Sequence, residues 1–209
     1  MEQKCRDIYE YFSQLFSFPR CELNYENVFE LLISVILSSQ CTDKRVNEVT
    51  KELFKVCKTP TDFLNLGQEK LEEKIYSCGF YKNKAKNILS CCSDLIEKYN
   101  SCVPNTLEEL TSLAGVGRKT ANVVLAEGFN QNAIAVDTHV LRVAKRLGLS
   151  TTKNPNKTEE ELKKLFDEHL WRNLHQYMVL FGRYHCKSKN PACENCKLKK
   201  YCNYFLNLC

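Results

Sequence analysis

The sequence predicts an all-α fold, and three observations predict it. Apolar residues recur at helical spacing through almost the whole chain. No stretch shows a β-branched alternation of any length, and no repeat of 20–50 residues is present. Capping residues and breakers punctuate the apolar runs where helices need to begin and end.

The elements follow in order. Met1 to Arg20 has an apolar pattern interrupted by Glu2, Asp7 and Glu10, which is neither a signal peptide nor a transit peptide. Val28, Phe29, Leu31, Leu32, Val35 and Ile36 form a densely apolar helix ending near Ser38-Ser39-Gln40. Val46, Val49, Leu53 and Val56 mark the next, with Asp43 near its start. Thr61 before Asp62-Phe63-Leu64, and then Gln68 to Tyr76, predict two short helices. Ala85, Ile88, Leu89, Cys92, Leu95, Ile96 and Tyr99 predict a long amphipathic one, which Pro104 breaks. Thr106 with Glu109 reads as a capping box. Thr158 with Glu161 reads as a second, opening a helix through Leu170, and Trp171 to Tyr184 continues as another. Leu149 to Lys157, with Pro155 among Asn, Thr and Lys residues, is the best surface loop.

Composition sets broad limits. A chain of 209 residues is one large domain or two small lobes, and buries roughly 70% of its unfolded surface. The net charge of +5 permits a polyanionic partner without requiring one. No run approaches the ~18 uninterrupted apolar residues of a membrane span. Thirteen cysteines raise the possibility of a secreted disulfide scaffold. Their odd count, the missing signal, and the scatter of Cys5, Cys21, Cys41, Cys57, Cys78, Cys91, Cys92 and Cys102 within helical patterns favour reduced thiols packed as small hydrophobes, and an intracellular compartment.

Two regions carry chemistry. In the first, Leu110 and Leu113 close one helix, Gly115-Val116-Gly117 make a tight turn, and Ala121, Val124 and Leu125 open the next helix. The glycines let the backbone turn sharply and come close to a ligand, and N–H groups at the start of the following helix suit a phosphate oxygen. The bland reading is a helical hairpin whose glycines only cap. Arg118 and Lys119 fall in the first turn of the second helix, where the macrodipole disfavours a cation; partial burial acts the same way on an amine. A neutral lysine is a nucleophile for carbon centres that become imines. Eighteen residues on, Asp137 precedes the apolar run Val140, Leu141, Val143, Ala144, Leu147. It reads as an N-cap, or as a carboxylate held opposite a lysine. In the second region, Cys186, Cys193, Cys196 and Cys202 are spaced C-x6-C-x2-C-x5-C. Four thiolates this close suit one metal centre, zinc or iron–sulfur by spacing alone. Lys187, Lys189, Lys197, Lys199 and Lys200 surround them against one acid, Glu194, and form either a solvated surface or a small basic loop on DNA phosphates.

LAGVGRKTANVVL followed by AIAVDTHVLR resembles the helix-hairpin-helix DNA glycosylases, specifically the endonuclease III branch, over nearly the whole chain. The Gly-Pro-Asp element that names the wider superfamily is here Ala135-Val136-Asp137. The resemblance implies two helical lobes with DNA in a central cleft: a six-helix bundle over 21–132, and residues 1–20 with 133–209. It makes Lys119 the catalytic nucleophile and Asp137 its partner. It also implies a [4Fe–4S] cluster on Cys186, Cys193, Cys196 and Cys202 in a loop over 186–202. Gln40 is the residue that fills the void left by an extruded base, and Phe80, where leucine is more usual, aligns with the wedge on the opposite strand. Gly115, Val116, Gly117, Arg118, His139, Lys187 and Lys189 complete the implied DNA contacts. The expected activity is base-excision repair of oxidised pyrimidines with β-elimination at abasic sites. The expected partner is double-stranded DNA carrying damaged pyrimidines or abasic sites, bound by a monomer with no membrane association, in the nucleoid or the nucleus. Adenine-mismatch glycosylases lack the lysine, and oxoguanine glycosylases lack the four-cysteine loop.

Overall fold

A computed structural model describes residues 1–207. The helices are α1 (Gln3–Leu15), α2 (Val28–Ser38), α3 (Asp43–Val56), α4 (Pro60–Leu66), α5 (Gln68–Ile75), α6 (Tyr81–Tyr99), α7 (Leu107–Ser112), α8 (Arg118–Val123), α9 (Thr138–Arg146), α10 (Pro155–Leu165), α11 (Trp171–Leu180) and α12 (Asn203–Leu206). Single π turns extend α8 over Val124–Gly128 and α11 over Phe181–His185. No strand occurs among the described residues. The chain forms two compact units, Glu22–Asn130 and Met1–Cys21 with Gln131–Cys209.

Within the Glu22–Asn130 unit, α2 is largely apolar and is buried on every side from Phe29 to Leu37, Glu30 and Ser34 included. Such a helix belongs at the centre of a bundle. Asn27 caps it by accepting from the Glu30 amide. Helix α6 packs against α4 and α5 with Ala85, Ile88, Cys91, Cys92 and Leu95 inward. Burial pushes the Cys91 thiol up to about 12, so it behaves as a small hydrophobe. Gly128 lets its π turn lie against α2, since a Cβ there would meet Val28 Cγ1 at 2.9 Å.

The other unit is built on α1, α9, α10 and α11. Ile8, Phe12, Val140, Val143, Leu147, Leu162, Leu174, Met178 and Phe181 form one buried cluster that also includes Cys186, Leu198 and Cys202. Each such side chain contributes about 1.5–3 kcal/mol by leaving water. The rings of Phe12 and Phe181 lie 4.8 Å apart. Asp7 of α1 accepts from Lys200 Nζ at 2.8 Å and from Tyr201 Oη at 2.6 Å, which ties α1 to the C-terminal loop. The bond from Lys200 first, then those from Tyr201 and Gln3, hold the Asp7 carboxyl well below the usual carboxylate range. A depressed acid stabilises the fold at pH values above the unfolded pKa, about 4, and that contribution declines as pH falls through the carboxylate range. An Asp7→Asn variant is therefore expected to be less stable than the native chain near neutrality, with the gap in denaturant midpoint closing on acidification.

Several helix boundaries differ from the sequence reading. Thr59, not Thr61, caps α4, in a reciprocal box with Asp62 and with Pro60 at the first helical position. At α7 only half of the expected box forms. Thr106 Oγ1 accepts from the Glu109 amide, while the Thr106 hydroxyl donates to the Glu109 carboxylate at 2.6 Å. Thr158 and Glu161 do not open a helix. Asn154 accepts from the amides of Asn156 and Lys157, and Pro155 at the first position starts α10 a turn earlier. Thr158 is then buried inside α10, with its hydroxyl 3.1 Å from that of Ser150. This shortens the expected surface loop: Leu149 and Ser150 are buried, and residues 155–157 are helical. Helix α10 stops at Leu165, and Glu168–Leu170 form a separate 3-10 turn.

Candidate functional site

In the Glu22–Asn130 unit the turn between α7 and α8 is held from inside. The buried side chains of Leu113 and Val116 flank it, and the Val116 amide donates to the Leu113 carbonyl at 3.1 Å. The Val116 side chain and N–H both serve the turn. The two glycines do different work. Gly115 has φ +76°, and a Cβ there would stand 2.8 Å from Asn87 Cβ. Gly117 is extended, with φ −84°, and a Cβ there would meet nothing within 4 Å. Gly115→Ala is expected to cost about 1–3 kcal/mol from left-handed backbone and overlap, whereas Gly117→Ala leaves stability nearly unchanged. Thermal melts of the two variants check this.

Lys119 lies in the first turn of α8 and is exposed, so the partial burial expected of it is not supplied by the chain itself. Arg118 beside it is half-buried.

Gln40 and Phe80 are both exposed, and both stand in left-handed backbone, at φ 54° and φ 48°. Gln40 follows the last turn of α2, where the Cys41 amide donates to the Ser38 carbonyl. Phe80 follows Gly79 at φ 68° and precedes α6 with 62% of its surface exposed. At that exposure Phe80 is not a core residue. A long amide and an aromatic ring rarely adopt this conformation, and such residues concentrate at functional sites.

In the other unit, Asp137 caps α9. Its Oδ1 accepts from the amides of His139 and Val140, each at 2.8 Å. The residues before it, Ala133 to Val136, are buried, so packing rather than a proline ring holds the approach. His139 is half-buried. A Cβ on Gly182 would touch its Cβ at 2.8 Å, and its Nδ1 is 3.2 Å from Arg142 Nη2. This histidine is built into the packing of α9.

Cys186, Cys193, Cys196 and Cys202 line one hollow, whose other walls include Leu147, Phe181, Pro191 and Ala192. No disulfide links the described cysteines. Three turns carry them: Cys186 donates to the Phe181 carbonyl at the end of the π turn, Cys196 to the Cys193 carbonyl, and Cys202 to the Lys199 carbonyl. No set of three His, Cys, Asp or Glu side chains among the described residues closes around a single ion. The four thiols border a space with apolar walls, a donor set that fits a thiolate-bound cluster. Burial pushes the Cys193 and Cys196 thiols up.

Two residues that the sequence reading left without a role organise this loop. Arg142 and Arg146 lie one turn apart on α9. Arg142 donates to the carbonyls of Gly182 at 2.7 Å and Cys186 at 3.1 Å. Arg146 donates to those of Lys187 at 2.7 Å and Ser188 at 3.2 Å, lies 3.3 Å from Cys186 Sγ, and stacks 4.0 Å over the Tyr204 ring. Their four-residue spacing was the available signal. The five lysines are not one free basic surface. Lys200 pairs with Asp7, and Lys199 and Lys197 lie over Phe205 and Tyr11. Lys187 and Lys189 remain exposed.

The profile of the HhH-GPD superfamily base excision DNA repair protein matches residues 33–168. Endonuclease III of Rickettsia conorii is 47% identical over 201 residues, 96% of this chain and 96% of the relative. Among solved structures, a non-covalent endonuclease III–DNA complex aligns with a TM-score of 0.95 at 45% identity, over 100% of this chain and 99% of that one. A trapped endonuclease III–DNA covalent intermediate, an estranged-adenine complex, gives the same values. No helix among the described residues is long and apolar enough to cross a membrane.

Proposed function

The chain belongs to the endonuclease III family of the HhH-GPD superfamily of base excision DNA repair proteins, and from that premise we propose how its residues divide the work. The protein is a base-excision-repair DNA glycosylase with AP lyase activity, acting on duplex DNA. Oxidised pyrimidines are the substrate class proposed for it.

A base inside a duplex is out of reach, so the damaged nucleotide is extruded. Gln40 fills the vacated stack, and Phe80 wedges the opposite strand. Gly117 gives the backbone of the hairpin turn an unobstructed face toward a phosphate, with Gly115 setting the turn. Gly117→Ala is therefore expected to weaken DNA binding without loss of stability. Arg118, Lys187 and Lys189 add charge along the phosphates. His139, half-buried in the first turn of α9, keeps its place among the proposed DNA contacts.

The free amine of Lys119 attacks the sugar C1′, and the base leaves with the bonding pair of the glycosidic bond. Asp137 takes the amine proton, or stabilises the positive charge developing on the sugar. Ring opening gives a lysine imine, which acidifies the neighbouring C2′–H. Loss of that proton expels the 3′ phosphate oxygen and breaks the strand. Water in place of the amine would release the base but form no imine.

Cys186, Cys193, Cys196 and Cys202 would hold a [4Fe–4S] cluster. Bound there, it supplies architecture and no open coordination site, because all four ligands are protein thiolates. Arg142 and Arg146 fix the backbone of the first of these cysteines whether or not the chemistry is running.

The observation that carries this reading is an exposed lysine in the first turn of a helix, directly after a turn whose second glycine presents open backbone. Borohydride trapping tests it on duplexes carrying thymine glycol, a mismatched adenine or oxoguanine. A covalent adduct with thymine glycol, and strand cleavage at an abasic site, are expected. DNA binding with no adduct and no cleavage would overturn it.

A further inference from the structure

Lys84 is a buried cation that the mechanism above does not use. It lies on α6 with 5% of its surface exposed. Its ammonium donates to the carbonyls of Leu37 and Cys78, each at 2.8 Å. The thiols of Cys41 and Cys78 lie near enough to act on the same ammonium, and Arg45 near enough to act on Cys78. Burial pushes the lysine below its ordinary value. Holding an ammonium on neutral acceptors costs it hydration, so what the two acceptors do is informative.

Leu37 sits in the last turn of α2, whose final carbonyls have no donor within the helix. Three residues beyond it is Gln40. Cys78 ends the 3-10 turn Tyr76–Cys78, and two residues beyond it is Phe80. One ammonium therefore joins the roots of two turns, each of which carries an exposed side chain in left-handed backbone. All of these residues belong to the same unit. Left-handed backbone is disfavoured for both residues, so neither turn is held in this shape by local preference.

We propose that Lys84 is a positioning residue that fixes the Gln40 turn and the Phe80 turn relative to one another, so that both side chains enter the two DNA strands together. This rests on the reading of Gln40 and Phe80 as the residues that fill and wedge the duplex. It assigns Lys84 to base extrusion and not to bond breaking. Extrusion is costly for a stacked, paired base, and much less so for a nucleotide that has already lost its base.

The test compares native protein, Lys84→Met and Lys84→Arg on two duplexes of one sequence, carrying either thymine glycol or a ready-made abasic site. Single-turnover excision by Lys84→Met is expected to fall by roughly tenfold or more, the loss that one charge-assisted hydrogen bond sustains. Strand cleavage at the abasic site is expected to change by less than about threefold, well under that hydrogen-bond-sized loss. Lys84→Arg keeps a cation and donors, and is expected to recover part of the excision rate. Amide hydrogen exchange is expected to quicken at residues 39–41 and 79–81 in Lys84→Met. Equal losses on the two substrates, or unchanged exchange at both turns, would overturn the proposal. If native protein acts on neither duplex, the functional reading fails. The exchange measurement still reports whether Lys84 holds the turns.

Discussion

Asp137→Asn is expected to leave the protein as stable as the native chain and able to bind damaged duplex, while lowering base excision by roughly 10²–10⁴-fold, the range for removing a positioned acid–base group. The two predictions separate because the carboxylate has two tasks. Both capping bonds, from the amides of His139 and Val140, end on Oδ1. An asparagine oxygen accepts them equally well and is as good a residue at this position. What asparagine lacks is the charge. It neither takes a proton from an amine nor stabilises a cationic sugar. Asp137→Ala removes the cap as well, and should cost a further 0.5–2 kcal/mol or so of stability. Melting curves and single-turnover rates on a thymine glycol duplex distinguish the two. An asparagine variant that excises within a few-fold of native would remove Asp137 from the chemistry and leave it a helix cap.

The same residue shows how far the sequence could be read. An aspartate before an apolar-periodic run predicts the cap directly, and the cap is there. The α2 run, apolar at every turn, predicts a buried central helix for the same reason: no face of it tolerates water. Boundaries set by competing local signals were harder. The Thr158–Glu161 spacing is a valid capping pattern, but Asn154-Pro155 upstream offers both a side-chain acceptor and a fixed φ, and it wins. Thr158 then spends its hydroxyl on Ser150 inside the fold. Pairings remote in sequence left no trace. Lys84 reads as a polar position on an amphipathic helix, and its acceptor Leu37 lies 47 residues away. Exposure was equally hidden at Phe80, where an aromatic after glycine suits a core as well as a wedge. In the structure, its 62% exposure rules out the core.

Lys119→Met carries the largest effect. The adduct trapped by borohydride should vanish, and base excision and strand cleavage should both fall by about 10³-fold or more, as when a covalent nucleophile is removed. DNA binding should persist, since the turn, Gly115, Gly117 and Arg118 are untouched. Stability should not fall. Lys119 is exposed, and surface substitutions of this kind stay within about 0.5 kcal/mol. The direction is also informative. The first turn of α8 exposes amide N–H groups whose dipoles oppose a cation, so methionine relieves an unfavourable placement, and the variant should melt at or slightly above the native temperature. Adduct formation by Lys119→Met would show that a different amine attacks the sugar. A large drop in melting temperature would show that Lys119 is held for the fold.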